Sequence, residues 1–294
     1  MTDHTPAGTL WIVATPIGTL EDLGNRAREV LGSVDLILAE DTRRTRKLLT
    51  HAGVAVGGRL SSLHEHNEKE RLSWVLDQLE NGREVALVSD AGTPALSDPG
   101  FLVVRAAREK GLEVRSVPGA SAFSAALAAS GQPPLPAVLA GFLPAKSGPR
   151  RRHISELADW SGTVVVLLSP HRIARELQDL AEGLGGERQA TLLAEISKRH
   201  ERAVVGSLEE LGQSLEARTP RGEYVLVVGP VVANDDAAEV TPDKASAAYQ
   251  RAIGDGMDRR TALREASRRL GVSRRELYTK LLEAEKAHLS ESSD

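Results

Sequence analysis

The sequence predicts an α/β protein: two α/β domains followed by a small helical tail. Short apolar runs alternate with helix-length amphipathic stretches over the first two-thirds of the chain, the pattern of sheets covered by helices. A proline cluster interrupts the alternation near the middle, and beyond Pro230 the texture turns polar, Ala-rich and helical.

Thr9–Ala14 (TLWIVA), Leu36–Ala39, Glu84–Ser89 (EVALVS) and Glu113–Val117 predict strands. They are compact, bounded by turn residues and not half-polar, as strands buried on both faces should be. Between them, Glu68–Leu79 puts Leu72, Val75, Leu76 and Leu79 on one helical face. Gly100–Lys110 predicts a helix stopped by Gly111. Pro133, Pro134 and Pro136 fit neither a helix interior nor a central strand, so Gln132–Pro136 predicts a linker. Alternation resumes with a strand at Thr163–Leu168, a helix near Arg172–Leu184, and strands at Ala190–Ile196, Glu201–Val205 and Tyr224–Val228. Thr241-Pro242 starts a helix with proline at its first position, and three helices follow. The last opens with a Ser273–Glu276 capping box after Gly271, in the manner of a helix-turn-helix. The expected domains are therefore 8–132, 137–232 and 241–290.

With 294 residues, 41% apolar and 27% charged, the chain is neither disordered nor fibrous. Aromatics make up 3%, too few for a row of base-stacking rings. A net charge of −4 leaves no overall basic field, so any polyanion must be met by a local patch. The absence of cysteine excludes disulfides, thiolate metal sites and a thiol nucleophile, and suits a reducing compartment. MTDHTPAG lacks the basic and apolar regions of a signal peptide, and no apolar run approaches the roughly 18 residues of a membrane span. A soluble cytoplasmic protein is expected.

Loops leaving the carboxyl ends of parallel strands are where α/β proteins bind ligands. TLWIVA runs into Thr15-Pro16-Ile17-Gly18, which by itself is equally a plain strand–helix turn. EVALVS runs into Asp90-Ala91-Gly92-Thr93-Pro94 and on to Asp98-Pro99-Gly100, with more acids, glycines and prolines than a plain turn needs. Val117-Pro118-Gly119-Ala120-Ser121 opens a helix with small residues, which either expose its amides to an anion or allow close packing. Glu40-Asp41 ends another strand, and the two acids supply either a base or a helix cap. In Ser62–Glu68, His64 and His66 would share one face of a strand, although no third metal ligand accompanies them and no metal is expected. Two basic patches stand out: Lys146 with Arg150, Arg151 and Arg152, and residues 257–280, with seven Arg and one Lys against three acids. No dinucleotide fingerprint, phosphate loop or serine-nucleophile elbow occurs.

Taken together, the segments ATPIGTLEDL, LAEDTRRT, LHEHNE, VSDAGTPALSDPG, VPGASA, GFLPAKS, SPHR, AEISKRHE and GEYVLVVG occur in order over nearly the whole chain. In them the sequence resembles the 16S rRNA cytidine 2′-O-methyltransferases of the tetrapyrrole methylase superfamily. Thr19 departs from the Asn of the usual PIGN. The resemblance implies S-adenosylmethionine (S-adenosyl-L-methionine) held in a cleft between two α/β domains, a homodimer, and 16S rRNA of the small ribosomal subunit as substrate. By position it assigns the cofactor to Pro16, Gly18, Asp90, Ala91, Gly92, Thr93, Pro94, Ala120, Ser121, Ser169, Pro170, His171 and Glu195. Glu40, Asp41, Glu65 and Lys198 are candidates for accepting the proton of the ribose hydroxyl, with the Glu40–Asp41 pair favoured for orienting it. Arg43, His64, Glu65, Asn67 and Lys146 are expected on the substrate side, with Arg150, Arg151, Arg152 and the basic tail on RNA phosphates. A precorrin-type methylase acting on a small macrocycle is the alternative.

Overall fold

A computed structural model describes residues 6–158, 160–215, 221–230, 240–270, 272 and 274–291. It divides into two compact units, Met1–Ala126 with Glu195–Arg202, and Leu127–Ala194 with Ala203–Asp294.

The first unit alternates β1 (Thr9–Val13), α1 (Asn25–Ser33), β2 (Leu36–Ala39), α2 (Thr42–His51), β3 (Leu60–Ser62), α3 (Glu68–Glu80), β4 (Val85–Val88), α4 (Phe101–Glu109) and β5 (Glu113–Val117), and α5 (Ala122–Ala129) follows. Its sheet has the order β3-β2-β4-β1-β5, and every pairing is parallel. Successive side chains of each strand point to opposite faces. Ile37, Ala39, Ala86 and Val88 pack with Leu31 of α1 and with Leu48 and Leu49 of α2. Leu36, Leu38, Val85 and Leu87 pack on the other side with Val75 and Leu79 of α3 and with Val103 and Ala107 of α4. Both faces of β2 and β4 are dry, which is why these strands show no polar alternation. β5, expected to be buried on both faces, is instead exposed at Glu113, Arg115 and Ser116, because it lies at the sheet edge. Truncating a side chain such as Leu38 or Leu87 to Ala would cost about 2–5 kcal/mol. Because α1 and α2 lie on one face and α3 and α4 on the other, the connections reverse around β4. That reversal is where doubly wound sheets leave a crevice at their carboxyl edge.

The second unit contains β6 (Ala137–Phe142), α6 (Ser147–Leu157), β7 (Thr163–Leu168), α7 (Ile173–Leu184), β8 (Gln189–Ala194), β9 (Arg202–Ser207), α8 (Leu208–Leu215) and β10 (Tyr224–Val228). The sheet order is β6-β7-β10-β8-β9, with β6 parallel to β7 and β10 antiparallel to β7 and β8. Val164, Val166, Leu192, Leu226 and Val228 bury one face against Ile154, Leu177, Leu180 and Leu211 of the helices. β6 follows the prolines at the sheet edge, where Pro136 interrupts no central ladder. The strands expected at Ala190–Ile196 and Glu201–Val205 are cut back around residues 195–201, where Glu195 and Ser197 take left-handed φ values of 56° and 63°.

The tail comprises α9 (Pro242–Gly254), α10 (Arg259–Leu270) and α11 (Arg274–Glu291) around Val240, Ala245, Ala266, Val272 and Leu277. The Thr241 hydroxyl accepts the Lys244 amide at 3.4 Å, capping α9 where the Thr-Pro pair placed its start. The expected Ser273 cap and Gly271 turn lie outside the described residues. Among the described residues no helix is long and apolar enough to cross a membrane.

Candidate active site

The parallel register aligns the carboxyl ends of the first sheet. Ala39 stands opposite both Ser62 and Val88, Ile12 opposite Leu87, and Val13 opposite Val117. The segments leaving β3, β2, β4, β1 and β5 therefore form one row: Leu63-His64, Glu40-Asp41, Ser89–Gly100, Ala14–Gly18 and Pro118–Ser121.

These segments are fastened to one another. Thr15 and Gly92 exchange backbone hydrogen bonds of 2.9 and 3.0 Å. The Thr15 hydroxyl donates to the Ser89 carbonyl at 3.1 Å, and the Thr93 hydroxyl donates to the Ala120 carbonyl at 3.4 Å. Gly92 holds φ +85°, a conformation that suits glycine. A Cβ on Gly119 would lie 3.0 Å from the Ala14 Cβ, tighter than ordinary contact, so the β1 and β5 loops approach this closely without strain because residue 119 has none. Among the described residues, the non-glycine residues with left-handed φ are Ala95, Ser97, Glu195 and Ser197. Each such residue stores of order 1 kcal/mol of strain, which persists where the surroundings over-determine the backbone.

The 195–202 segment meets the β1 loop within the first unit. A Cβ on Gly18 would lie 2.7 Å from the Ser197 carbonyl, and the Thr19 hydroxyl donates to that same carbonyl oxygen at 2.5 Å. Thr19, the departure from the usual Asn, thus holds a backbone contact. Ser197 also donates to Asp22, while Lys198 pairs with Glu195 at 3.0 Å.

Four carboxylates differ in what they can do. The Asp41 side chain caps α2, accepting the Arg43 amide at 2.8 Å, and pairs with the Arg43 guanidinium at 3.1 Å. These bonds hold its pKa down at about 2, so it is a poor proton acceptor. Asp90 accepts the Asp41 amide at 3.0 Å and pairs with Arg44 at 3.0 Å, tying the β4 loop to the start of α2. Glu40 is pushed upward, first by burial and then by the charge of Asp90. Asp98 is pushed up to about 6 by burial and by Glu40, against the opposing effect of a hydrogen bond from Ser89. Of the Glu40–Asp41 pair, only Glu40 has the raised basicity a proton acceptor needs.

The LHEHNE segment forms a turn, so the expectation that His64 and His66 share a strand face is corrected. Their rings meet edge-on with centroids 6.0 Å apart. The cause is Asn67, whose carboxamide oxygen accepts the His64 amide at 2.8 Å and closes the turn. His64 Nδ1 is buried with no hydrogen-bond partner among the described residues, and Glu65 is exposed beside it. Among the described residues no group of three His, Cys, Asp or Glu side chains is placed to hold a metal. Glu68 turns inward, its Oε1 accepting the amides of Gly100 at 3.0 Å and Leu102 at 2.9 Å at the start of α4.

In the second unit, Ser169-Pro170-His171 follows β7, and the fully buried Glu176 holds this turn by accepting the Ser169 amide at 3.1 Å and Arg172 Nε at 3.0 Å. Lys146 is exposed at the N-cap of α6. The three arginines behind it do not form one patch. Arg150 is buried, its guanidinium paired with Asp179 at 2.6 Å and donating to the Ala145 carbonyl at 2.9 Å. It is committed to α6–α7 packing rather than to a phosphate. Arg151 pairs with Asp179 and Glu182 from an exposed position, and Arg152 is exposed. Consecutive helical residues point about 100° apart, so three in a row cannot share a face.

Asp98, Glu68, Ser197 and Glu176 were not singled out from the sequence. Asp98 carried a signal, as the second acid of an over-furnished loop. Glu68 and Ser197 act on segments that only folding brings near, and Glu176 acts on the turn just before its own helix.

The profile of the Tetrapyrrole (Corrin/Porphyrin) Methylases matches residues 9–212. Ribosomal RNA small subunit methyltransferase I of Xylella fastidiosa is 42% identical over 273 residues, 92% of this chain and 98% of that protein. Its namesake from Synechocystis is 39% identical over 278 residues, 95% of this chain and 99% of that protein. The solved structure of a cobalt precorrin-4 methyltransferase covers 75% of this chain and 94% of its own with a TM-score of 0.56 at 18% identity, a likeness of fold. The chain belongs to the tetrapyrrole methylases, and within them to the ribosomal RNA small subunit methyltransferase I family.

Proposed function

We propose that this protein moves the methyl group of S-adenosylmethionine to the ribose 2′-hydroxyl of a cytidine in the decoding region of 16S rRNA. Family membership carries the class of reaction, an S-adenosylmethionine-dependent rRNA methyl transfer. The assignment of residues is supported by one observation, the row of fastened loops at the carboxyl edge of the first sheet with Glu40 among them.

The residues fit the cofactor. Gly92, at a φ that suits glycine, and Gly119, where a Cβ would crowd Ala14, leave bare backbone in these loops, and the acids Glu40, Asp90 and Asp98 suit a cationic ligand. When bound, S-adenosylmethionine supplies a methyl group already activated by a positively charged sulfur. The protein's task is then mostly positioning, since near-attack alignment of two reactants is worth about 7–11 kcal/mol. Pro16, Gly18, Asp90–Pro94, Ala120 and Ser121 form the cofactor side of the row. Ser169–His171 and Glu195 are assigned to the same ligand by the family pattern. Glu40 accepts the hydroxyl proton as the new oxygen–carbon bond forms. Asp41 fixes α2 and Arg43 rather than taking the proton. Lys198, paired with Glu195, supports the segment packed on Gly18. His64, whose Nδ1 has no partner among the described residues, and the exposed Glu65 and Lys146 serve the RNA side, while Asn67 builds the turn that presents His64. The active form is a cytoplasmic homodimer, which light scattering on the purified protein would test.

The test supplies methyl-labelled S-adenosylmethionine together with unmodified 30S subunits in one tube and a precorrin-type macrocycle in another. Label in the RNA is expected. Label only in the macrocycle would overturn the reading.

A further inference from the structure

We propose that the outward face of α2, built from Arg43, Arg46, Lys47, Thr50 and His51, is a binding surface for the phosphate backbone of the substrate RNA beside the reacting nucleotide. The inference rests on the functional reading above. These five residues line one depression along the helix, and their spacing of three and four residues places them on a single face. The opposite face, with Thr45, Leu48 and Leu49, is buried in the core.

The charges of this helix run against its own stability. TRRTRKLLTH contains no acid, so none of its cations is balanced by an acid one turn away on the helix. Arg43 faces like charges at Arg46 and Lys47, each unfavourable by about 0.2–0.5 kcal/mol. Arg43 and Arg44 also sit in the first turn, where the helix dipole disfavours cations. Asp41 and Asp90 answer Arg43 and Arg44, and Glu21 lies 3.6 Å from His51. Arg46 and Lys47 are exposed with no carboxylate partner among the described residues. A merely solvated helix face would carry acids among its bases. An all-basic face on an acidic protein is what a polyanion stabilises on binding.

Its place in the fold says which polyanion. α2 starts directly after Glu40 and Asp41, so a strand whose ribose reaches Glu40 has its flanking phosphates within reach of a basic ladder about 15 Å long. Such contacts position the strand without reading its bases.

The test compares Arg46→Gln/Lys47→Gln with a control of equal charge change elsewhere, Arg105→Gln on α4 with Lys110→Gln at its C-cap. Binding of protein-free 16S rRNA and of 30S subunits is measured by filter retention from 50 to 200 mM salt, and S-adenosylmethionine binding by calorimetry. Losing two phosphate contacts should flatten the slope of log affinity against log salt by about 1.4–1.8. Across that fourfold salt range the wild type and the control should therefore weaken about 7- to 12-fold more than the α2 variant. Cofactor binding should be the same in all three proteins. An unchanged slope in the α2 variant would overturn the inference, as would an equal effect in the control. A loss confined to 30S subunits would assign the face to a ribosomal protein and overturn it too. Wild-type protein that binds RNA through this face but never methylates it would instead contradict the functional reading.

Discussion

Glu68→Ala tests how the LHEHNE turn and the long β4 loop are joined. Glu68 Oε1 accepts amides of Gly100 at 3.0 Å, Leu102 at 2.9 Å and Val103 at 3.4 Å from a buried position. Gly100, the N-cap of α4, has no side chain of its own to satisfy these donors. Truncation strands two well-placed N–H groups in the interior, each worth about 1–3 kcal/mol when left unmade. Partial entry of water offsets some of this, leaving about 3 kcal/mol. For a unit of this size the thermal midpoint should fall by about 10 °C in scanning calorimetry without cofactor. Glu68→Gln keeps the accepting oxygen and loses only the charge-assisted part, so it should cost about 1 kcal/mol. Since Gly100 ends the loop that begins at Asp90, KM for S-adenosylmethionine should rise more than KM for RNA in Glu68→Ala, and Glu68→Gln should restore most of the difference. An alanine variant within about 0.5 kcal/mol of wild type would refute the account, because such small changes are what ordinary surface substitutions give.

Glu40→Gln should lower kcat by about 100-fold or more, the usual contribution of a positioned base, while Asp41→Asn, which still caps α2, should lower it far less; steady-state kinetics with 30S subunits would decide between them. Because Glu40 is raised, wild-type kcat should climb with pH until that carboxyl ionises above its ordinary value of 4.5, and the limb should vanish in Glu40→Gln. The Asp98 carboxyl sits at about 6 in the fold against 3.8 when free, so the folded state holds the extra proton and stability from this group falls as pH rises from about 4 to about 6. Asp98→Asn should therefore be more heat-resistant than wild type at pH 7.5, with the advantage gone below pH 4. Arg150→Met should destabilise by about 3–5 kcal/mol in urea by leaving Asp179 buried without its closest partner, with no change in the salt dependence of RNA binding.

Much of the first unit was legible in the sequence because its information is local. Strands dry on both faces announce themselves as unbroken apolar runs, and loops with surplus Gly, Pro and Asp announce themselves at strand ends. Hence the Asp90–Gly100 loop stood out from its residues alone, whereas Thr15–Gly18 and Pro118–Ser121 read equally as a plain turn and as close packing. Only part of what distinguished Glu40 from Asp41 was local: Asp41 is paired with Arg43 two residues on, whereas Glu40 is half-buried beside Asp90, which arrives from another loop. The cap of α4 arrives from Glu68, 32 residues before Gly100, and no spacing rule spans that distance. Arg150 looked like its neighbours in the sequence and differs only because α6 turns it toward Asp179. His64 and His66 alternate as strand residues do, yet Asn67 closes them into a turn, which a two-residue period cannot reveal. The β6 strand, Ala137–Phe142, mixes alanine and glycine after three prolines and becomes a strand only because β7 offers a partner.

The most direct test of the central claim is to label unmodified 30S subunits with methyl-labelled S-adenosylmethionine and this protein, then digest the 16S rRNA to nucleosides. The account predicts that the label co-migrates with 2′-O-methylcytidine and disappears with Glu40→Gln. Label on a base, or on the ribose of a different nucleoside, would contradict it.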